Sequence, residues 1–222
     1  MTETHADANY VRAIILDLDG VIIDSEPLHM ESEKRLFSEC RVTVDSEDWP
    51  RLKGLTPRAV FEFLRSKYNL REEIDVFLEK KDRFLAEAYE KGLSLFPDFL
   101  PFVQRFQRGF VFALTTSTSQ ALTEWVLTRL RLEDIFQVVV TADDVLNGKP
   151  HPEPYVKTIE ALRLKPSECI VIEDSVNGVR AAKGAGAKCI AVATSFEREE
   201  LEEADVVVGQ LSEITMETLA RI

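Results

Sequence analysis

The sequence has no surplus of basic side chains: 27 Lys and Arg stand against 39 Asp and Glu, a net charge of −12. That balance excludes a uniformly basic nucleic-acid surface. An anionic substrate therefore needs a local cluster of Lys, Arg or metal to overcome the background. Apolar runs are short, and none approaches the length that spans a bilayer, so no membrane association is expected. Cysteine is scarce. Cys40, Cys169 and Cys189 are odd in number, scattered and set in apolar stretches, which reads as small buried hydrophobes in a reducing compartment. Residues Met1–Asn9 are polar and include Glu3 and Asp7, so they do not read as a signal peptide. Repeats, low-complexity tracts and a GxxxxGK(S/T) phosphate loop are all missing, which removes nucleotide binding of that kind. A cytoplasmic globular protein of 222 residues is expected, with 45% hydrophobic content that argues against disorder.

What is present begins at Ala13–Ser25, AIILDLDGVIIDS. The apolar run Ala13-Ile14-Ile15-Leu16 suits a strand buried on both faces. Asp17 and Asp19 follow at its C-terminal end, where open α/β sheets bind ligands, and Gly20 lets the chain turn away. Taken alone, the two acids could equally begin a solvated loop. An EF-hand is excluded because Gly20 comes too early and no Glu follows at the required spacing.

Helical signals fill the next interval. Pro27 to Cys40 follows Ser25 as N-cap, Arg41 to Lys53 reads as irregular, and Thr56 caps a helix to about Tyr68. Ile74, Phe77, Leu78, Phe84, Leu85 and Ala88 recur at helical spacing between Arg71 and Lys91. Lys81 lies within that stripe, where a lysine either snorkels to the rim or meets an anion. From Phe96 the pattern alternates. A helix at Asp98–Gln107 precedes apolar strands at Phe110–Leu114, Val138–Val140, Cys169–Ile172, Lys188–Ala193 and Val206–Val208. Between them, helices are expected from Ser119 to Leu130, Pro152 to Leu162, Ser175 to Gly184, Phe196 to Glu203, and onward from Ser212. The pattern predicts an α/β fold, a doubly wound parallel sheet, with a helical cap inserted after the first strand. The core then comprises residues 1–23 and 96–222, and the cap 24–95, placed over the first strand's end as a lid.

Polar groups collect at consecutive strand ends: Thr115-Thr116-Ser117-Thr118, Lys149 in Asn147-Gly148-Lys149-Pro150, and Glu173-Asp174. Each has a bland reading, as helix caps, a surface charge or the start of a loop. In one parallel sheet, however, these ends share an edge with Asp17. Facing carboxylates there would repel, and a hard divalent cation such as magnesium, with Lys149, would relieve them and receive a phosphoryl group.

These motifs resemble the haloacid dehalogenase superfamily over nearly the whole chain, in the helical-cap branch that holds sugar-phosphate phosphatases and β-phosphoglucomutase. The resemblance implies that Asp17 is the nucleophile forming an aspartyl phosphate, and that Asp19 is the general acid and base. It further implies that Asp17, Asp174 and the Asp19 backbone carbonyl bind Mg2+ with Glu173 beside or behind them, and that Thr116 and Lys149 orient the phosphate. Ser117 and Thr118 join the substrate-binding set. In the cap, His29, Gly54, Arg58 and Lys81 match positions that face the substrate. Two departures stand out. Asp98 replaces a common Gly after Pro97, and Ser119-Gln120 replaces a Lys-Asn pair that touches a distal phosphate, which tells against a bisphosphate-handling mutase. The implied activity is Mg-dependent hydrolysis of a small phosphorylated metabolite by a monomer or weak homo-oligomer. The alternatives are β-phosphoglucomutase and a non-catalytic phosphate-binding module.

Overall fold

In the computed structural model, which describes residues 10–52 and 56–222, Ala13–Leu16 forms strand β1 with every side chain buried. The other strands are β2 (Val111–Thr115), β3 (Val138–Val140), β4 (Cys169–Glu173), β5 (Lys188–Val192) and β6 (Val206–Val208). All pair in parallel in the order β3-β2-β1-β4-β5-β6. Leu16 is in register with Leu114 on one side and Ile172 on the other. The chain moves outward from β1 through β2 to β3, then returns to β4 on the opposite flank. That reversal leaves a crevice beyond the carboxyl ends of β1 and β4.

The period of two along β1 sorts its side chains between two apolar layers. Ile14 and Leu16 join Phe99, Phe102, Phe112 and Leu122, from α5 (Phe99–Phe106), α6 (Gln120–Leu130) and β2. Ala13 and Ile15 join Tyr155, Ile159 and Val179 from α7 (Glu153–Leu162) and α8 (Val176–Gly184). Helices therefore cover both faces, as a doubly wound sheet requires. Cys169 and Cys189 lie inside the second layer as free thiols, and burial pushes the Cys169 thiol up to about 12.

Between β1 and β2 run α1 (Glu26–Glu39), α2 (Trp49–Leu52), α3 (Pro57–Tyr68) and α4 (Ile74–Gly92). They build their own apolar cluster around Leu36, Phe37, Phe61, Phe77 and Phe84. Leu85 and Tyr89, further along α4, belong instead to the sheet's cluster. The two crossings between these helices and the sheet run side by side. Asp24 N–H donates to Ser94 O at 3.1 Å and Phe96 N–H to Ile22 O at 3.0 Å.

Several local expectations need correction. Trp49–Leu52 is a short helix inside the stretch read as irregular. The acidic segment Phe196–Glu203 holds only a 3-10 turn at Arg198–Leu201, because Leu201 is its one fully buried side chain and a single turn suffices to bury it. The closing helix splits into a 3-10 turn at Leu211–Glu213 and α9 (Met216–Ala220), since Leu211 and Ile214 bury at a spacing of three. Thr56 and Ser175 cap as expected, accepting from Ala59 and Gly178 N–H. Ser25 and Ser119 occupy cap positions without a side-chain cap bond. Asp98 uses its carboxylate to accept the Ser212 N–H at 2.8 Å, tying the start of α5 to the C-terminal segment.

Candidate active site

The strand ends and the loop before α7 deliver polar groups to the crevice. Asp17 follows β1, its N–H donating to Ile172 O at 3.0 Å and its side chain buried. Lys149, in the loop before α7, is 5% exposed, and its Nζ donates to Asp17 Oδ1 and to Glu173 Oε1, both at 2.6 Å. Burial works against the ammonium, but Asp17 and Glu173 more than offset it and hold its pKa above the usual lysine value. Thr115 O accepts its third proton at 3.3 Å.

Glu173, the last residue of β4, is saturated with donors. Oε1 also accepts Tyr155 Oη–H at 2.7 Å, and Oε2 accepts Asp174 N–H, Ser175 N–H and Ser175 Oγ–H at 3.0–3.1 Å. With its lone pairs committed, Glu173 stands behind the site and aims the lysine. Asp174 is different. Burial, with Glu173 and Asp17 nearby, raises its pKa well above the ordinary carboxylate range, while Ser195 donates to it. Burial likewise pushes Asp17 up to about 7 despite Lys149, with Glu173 and Asp19 adding to the rise.

One oxygen each from Asp17, Glu173 and Asp174 lie within 4.8 Å of one another. Two buried carboxylates that resist ionisation, facing each other with lone pairs to spare, suit a hard divalent cation. Gly20 keeps the approach open, since at φ +76° a Cβ there would lie 1.9 Å from Asp174 Oδ2.

Asp19, two residues on, meets a second set of partners. Its Oδ1 accepts from Ser25 Oγ at 2.7 Å, Tyr89 Oη at 2.6 Å and His29 Nε2 at 3.0 Å, and its Oδ2 from Thr118 Oγ1 at 2.8 Å. Burial opposes its charge, but His29, Tyr89 and Ser25 prevail and hold its carboxyl far below the usual range. Ser25 lacks a cap bond because its hydroxyl is spent here.

These groups open on a cavity of about 790 Å³ between the sheet edge and the inserted helices. Asp17, Asp19, His29, Lys81, Ser117, Thr118, Lys149 and Asp174 all line it. Thr116 does not. It is buried, and its Oγ1 accepts the Thr118 N–H at 3.0 Å, shaping the turn beneath the pocket. Arg58 is exposed on the first turn of α3 and is not brought to the cavity, although its neighbours Thr56 and Pro57 are. Gly54 lies outside the described residues. Sequence reasoning missed Tyr89, Tyr155 and the cavity-lining Glu33 and Trp49. For the tyrosines a signal existed. A Tyr on a buried helical stripe, as at Tyr89 after Leu85 or Tyr155 before Ile159, needs a partner for its hydroxyl.

A two-flanked β1 with a carboxylate pair, a buried lysine and helices inserted over its end defines a class of hydrolase. The chain belongs to the haloacid dehalogenase-like hydrolase family, whose model matches residues 14–192. It is 34% identical over 180 residues to a phosphorylated carbohydrates phosphatase of Thermotoga maritima, covering 79% of this chain and 82% of that protein. It is 29% identical over 222 residues to the β-phosphoglucomutase of Bacillus subtilis, covering 94% of each. Among solved structures, CbbY from Rhodobacter sphaeroides in complex with phosphate superposes with a TM-score of 0.81 at 26% identity, over 95% of this chain and 99% of that one. Among the described residues no helix is long and apolar enough to cross a membrane.

Proposed function

We propose that the protein is a Mg-dependent phosphatase that hydrolyses a small phosphorylated metabolite, most simply a sugar phosphate, through an aspartyl phosphate. The observation that carries this reading is Asp17 held at 2.6 Å by a buried Lys149, with an Asp174 oxygen near enough to Asp17 for the two to share a metal ion and Asp19 two residues on. Asp17 attacks phosphorus, the ester P–O bond breaks, and Asp19, a carboxylate in the free site, takes up the proton that arrives with the phosphomonoester and gives it to the leaving oxygen. Asp19, now a carboxylate, takes a proton from water. The water oxygen attacks phosphorus and the P–O bond to Asp17 breaks, releasing phosphate. Lys149 and Thr116, whose hydroxyl accepts the Thr118 N–H and keeps its own proton to give, hold phosphoryl oxygens, and Asp17, Asp174 and the Asp19 carbonyl would bind the Mg2+. When bound, that cation screens the phosphoryl charge from the surrounding carboxylates. Residues 24–95 act as a lid that sets specificity, with Lys81 and His29 facing the substrate.

Hydrolysis is favoured over phosphoryl transfer within a bisphosphate by the lid's wall. Glu33 and Lys81 line the cavity with no hydrogen bond or ion pair to any described residue. Burial raises the Glu33 pKa, against the pull of His29 and Lys81. An acid beside a lysine suits neutral hydroxyls better than a second phosphate, and Trp49 adds a flat apolar face for a sugar ring. The β-phosphoglucomutase reading is kept by the similarity to that enzyme and by Lys81.

The test is phosphate release from a panel of sugar phosphates, phosphoglycolate and p-nitrophenyl phosphate with Mg2+. Turnover should stop with EDTA and in Asp17→Asn, which also forms no phosphoenzyme. Wild-type-like release by that variant, or no release from any ester, sinks the reading. With glucose 1-phosphate, isomer formation exceeding phosphate release would make the protein a mutase.

A further inference from the structure

We propose that Tyr89, on the inserted helix α4, is a positioning residue for Asp19, holding the carboxylate plane so that one oxygen faces the leaving group. This rests on the reading of Asp19 as the general acid.

A carboxylate oxygen offers about two lone-pair sites. Asp19 Oδ1 has three donors within 3.0 Å, from Ser25, Tyr89 and His29, so it has no room for a proton or a substrate oxygen. Among the described residues Oδ2 accepts only from Thr118, at 2.8 Å, and keeps a site open toward the cavity that Thr118 and Asp19 both line. The proton that travels in the reaction therefore belongs on Oδ2. The carboxylate torsion is soft and its two oxygens are equivalent, so a half-turn changes nothing and only the tilt of the plane toward the cavity is left to set. Its donors set it.

Tyr89 makes the shortest of the three bonds, from a separate element of the chain. Ser25 sits at the entrance to α1, and the His29 side chain is a quarter exposed. The Tyr89 ring is 1% exposed, packed in the sheet's apolar cluster, and reaches Asp19 from 70 residues away. Its oxygen also lies 3.1 Å from His29 Nε2, with the rings edge to face at 6.0 Å, so it braces the imidazole as well. A phenol has a single proton to give. At 2.6 Å from Oδ1 that proton points at Asp19, and the His29 N–H is shared between the two oxygens. Removing the hydroxyl frees the carboxylate to tilt, and misplacement of a reacting group by about 1 Å costs on the order of 10²-fold.

Tyr89→Phe keeps the ring and its packing. Two esters of similar size separate positioning from fold: benzyl phosphate, whose alkoxide needs a proton to leave, and p-nitrophenyl phosphate, whose phenolate does not. We expect kcat/KM for benzyl phosphate to fall roughly 10–100-fold and that for p-nitrophenyl phosphate by less than about threefold. Asp19→Asn should show the same contrast more strongly, and the double variant should lose no more on benzyl phosphate than Asp19→Asn alone. Equal losses on both esters in Tyr89→Phe, no loss on either, or additivity in the double variant overturns the role of Tyr89. Should Asp19→Asn itself lose equally on both, the assignment of Asp19 fails first and the proposal falls with it.

Discussion

Lys149 stands between two buried carboxylates, and its ammonium is what lets Glu173 stay charged in the interior. Glu173 is fully buried, and burial would raise its pKa, yet Lys149 and the hydrogen bonds from Tyr155 and Ser175 hold it below the usual value. Lys149→Met strands Asp17 and Glu173 without a cation, which for a buried pair costs about 3–5 kcal/mol. Both acids then titrate higher in the folded protein than in the unfolded one. Their protonated forms bear burial better, so the loss should be greatest near about pH 8 and shrink as the pH falls. Urea denaturation at both ends of that range checks it, and equal losses would refute the account. Asp17, Lys149 and Asp174 were legible in the sequence because each comes directly after an apolar strand or sits in a short motif. Tyr89 and Tyr155 were not, because a tyrosine on an apolar stripe looks like core until the rotation of its helix is known. Thr116 is buried just off the cavity wall, where its side chain accepts the Thr118 N–H. In a run of four hydroxyl residues, sequence alone does not say which ones turn inward.

At the scale of elements, the start of α8 is part of the site. Ser175 caps the helix through Oγ and donates that same hydroxyl's proton to Glu173, while Gly178 lets the first turn lie against the Glu173 carboxylate. A Cβ at Gly178 would lie 1.8 Å from Glu173 Cδ. Gly178→Ala should therefore displace Glu173, release Lys149 and lower kcat by roughly 10–100-fold, as changes behind a catalytic centre do. Helix propensity alone would have made the same substitution stabilising by about 1 kcal/mol. Thermal unfolding measured beside turnover tells the two effects apart. The long elements were readable because their apolar spacing is sustained, as from Ile74 to Ala88. The 3-10 turns at Arg198–Leu201 and Leu211–Glu213 were not, since a segment that buries one or two side chains carries no period.

Across the whole molecule, the net charge of −12 and the raised pKa values at the crevice tie the proposed metal binding to pH. Asp17 titrates near about 7 when folded against 3.8 for the unperturbed group. A raised carboxylate favours the folded state while protonated, so stability from this source is present at lower pH and is lost as the pH rises through about 7. Mg2+ must displace that proton, and Asp174 is raised as well, so its apparent affinity should weaken by at least about tenfold per pH unit below 7. Melting temperatures with and without Mg2+ should diverge more at about pH 8 than at about pH 6. A constant increment would place the ion elsewhere. Sheet order was legible only as far as a parallel α/β pattern, because the strand sequence does not state on which flank of β1 the chain returns.

Helix α4 lends its earlier residues, Phe77 and Phe84, to one apolar cluster and its later ones, Leu85 and Tyr89, to another. Residues 24–95 therefore should not exchange cleanly as one block between relatives. A chimera spliced at the two crossings would import a foreign plug into the recipient's sheet, whereas a junction drawn within α4 before Leu85 leaves the host's own seam intact.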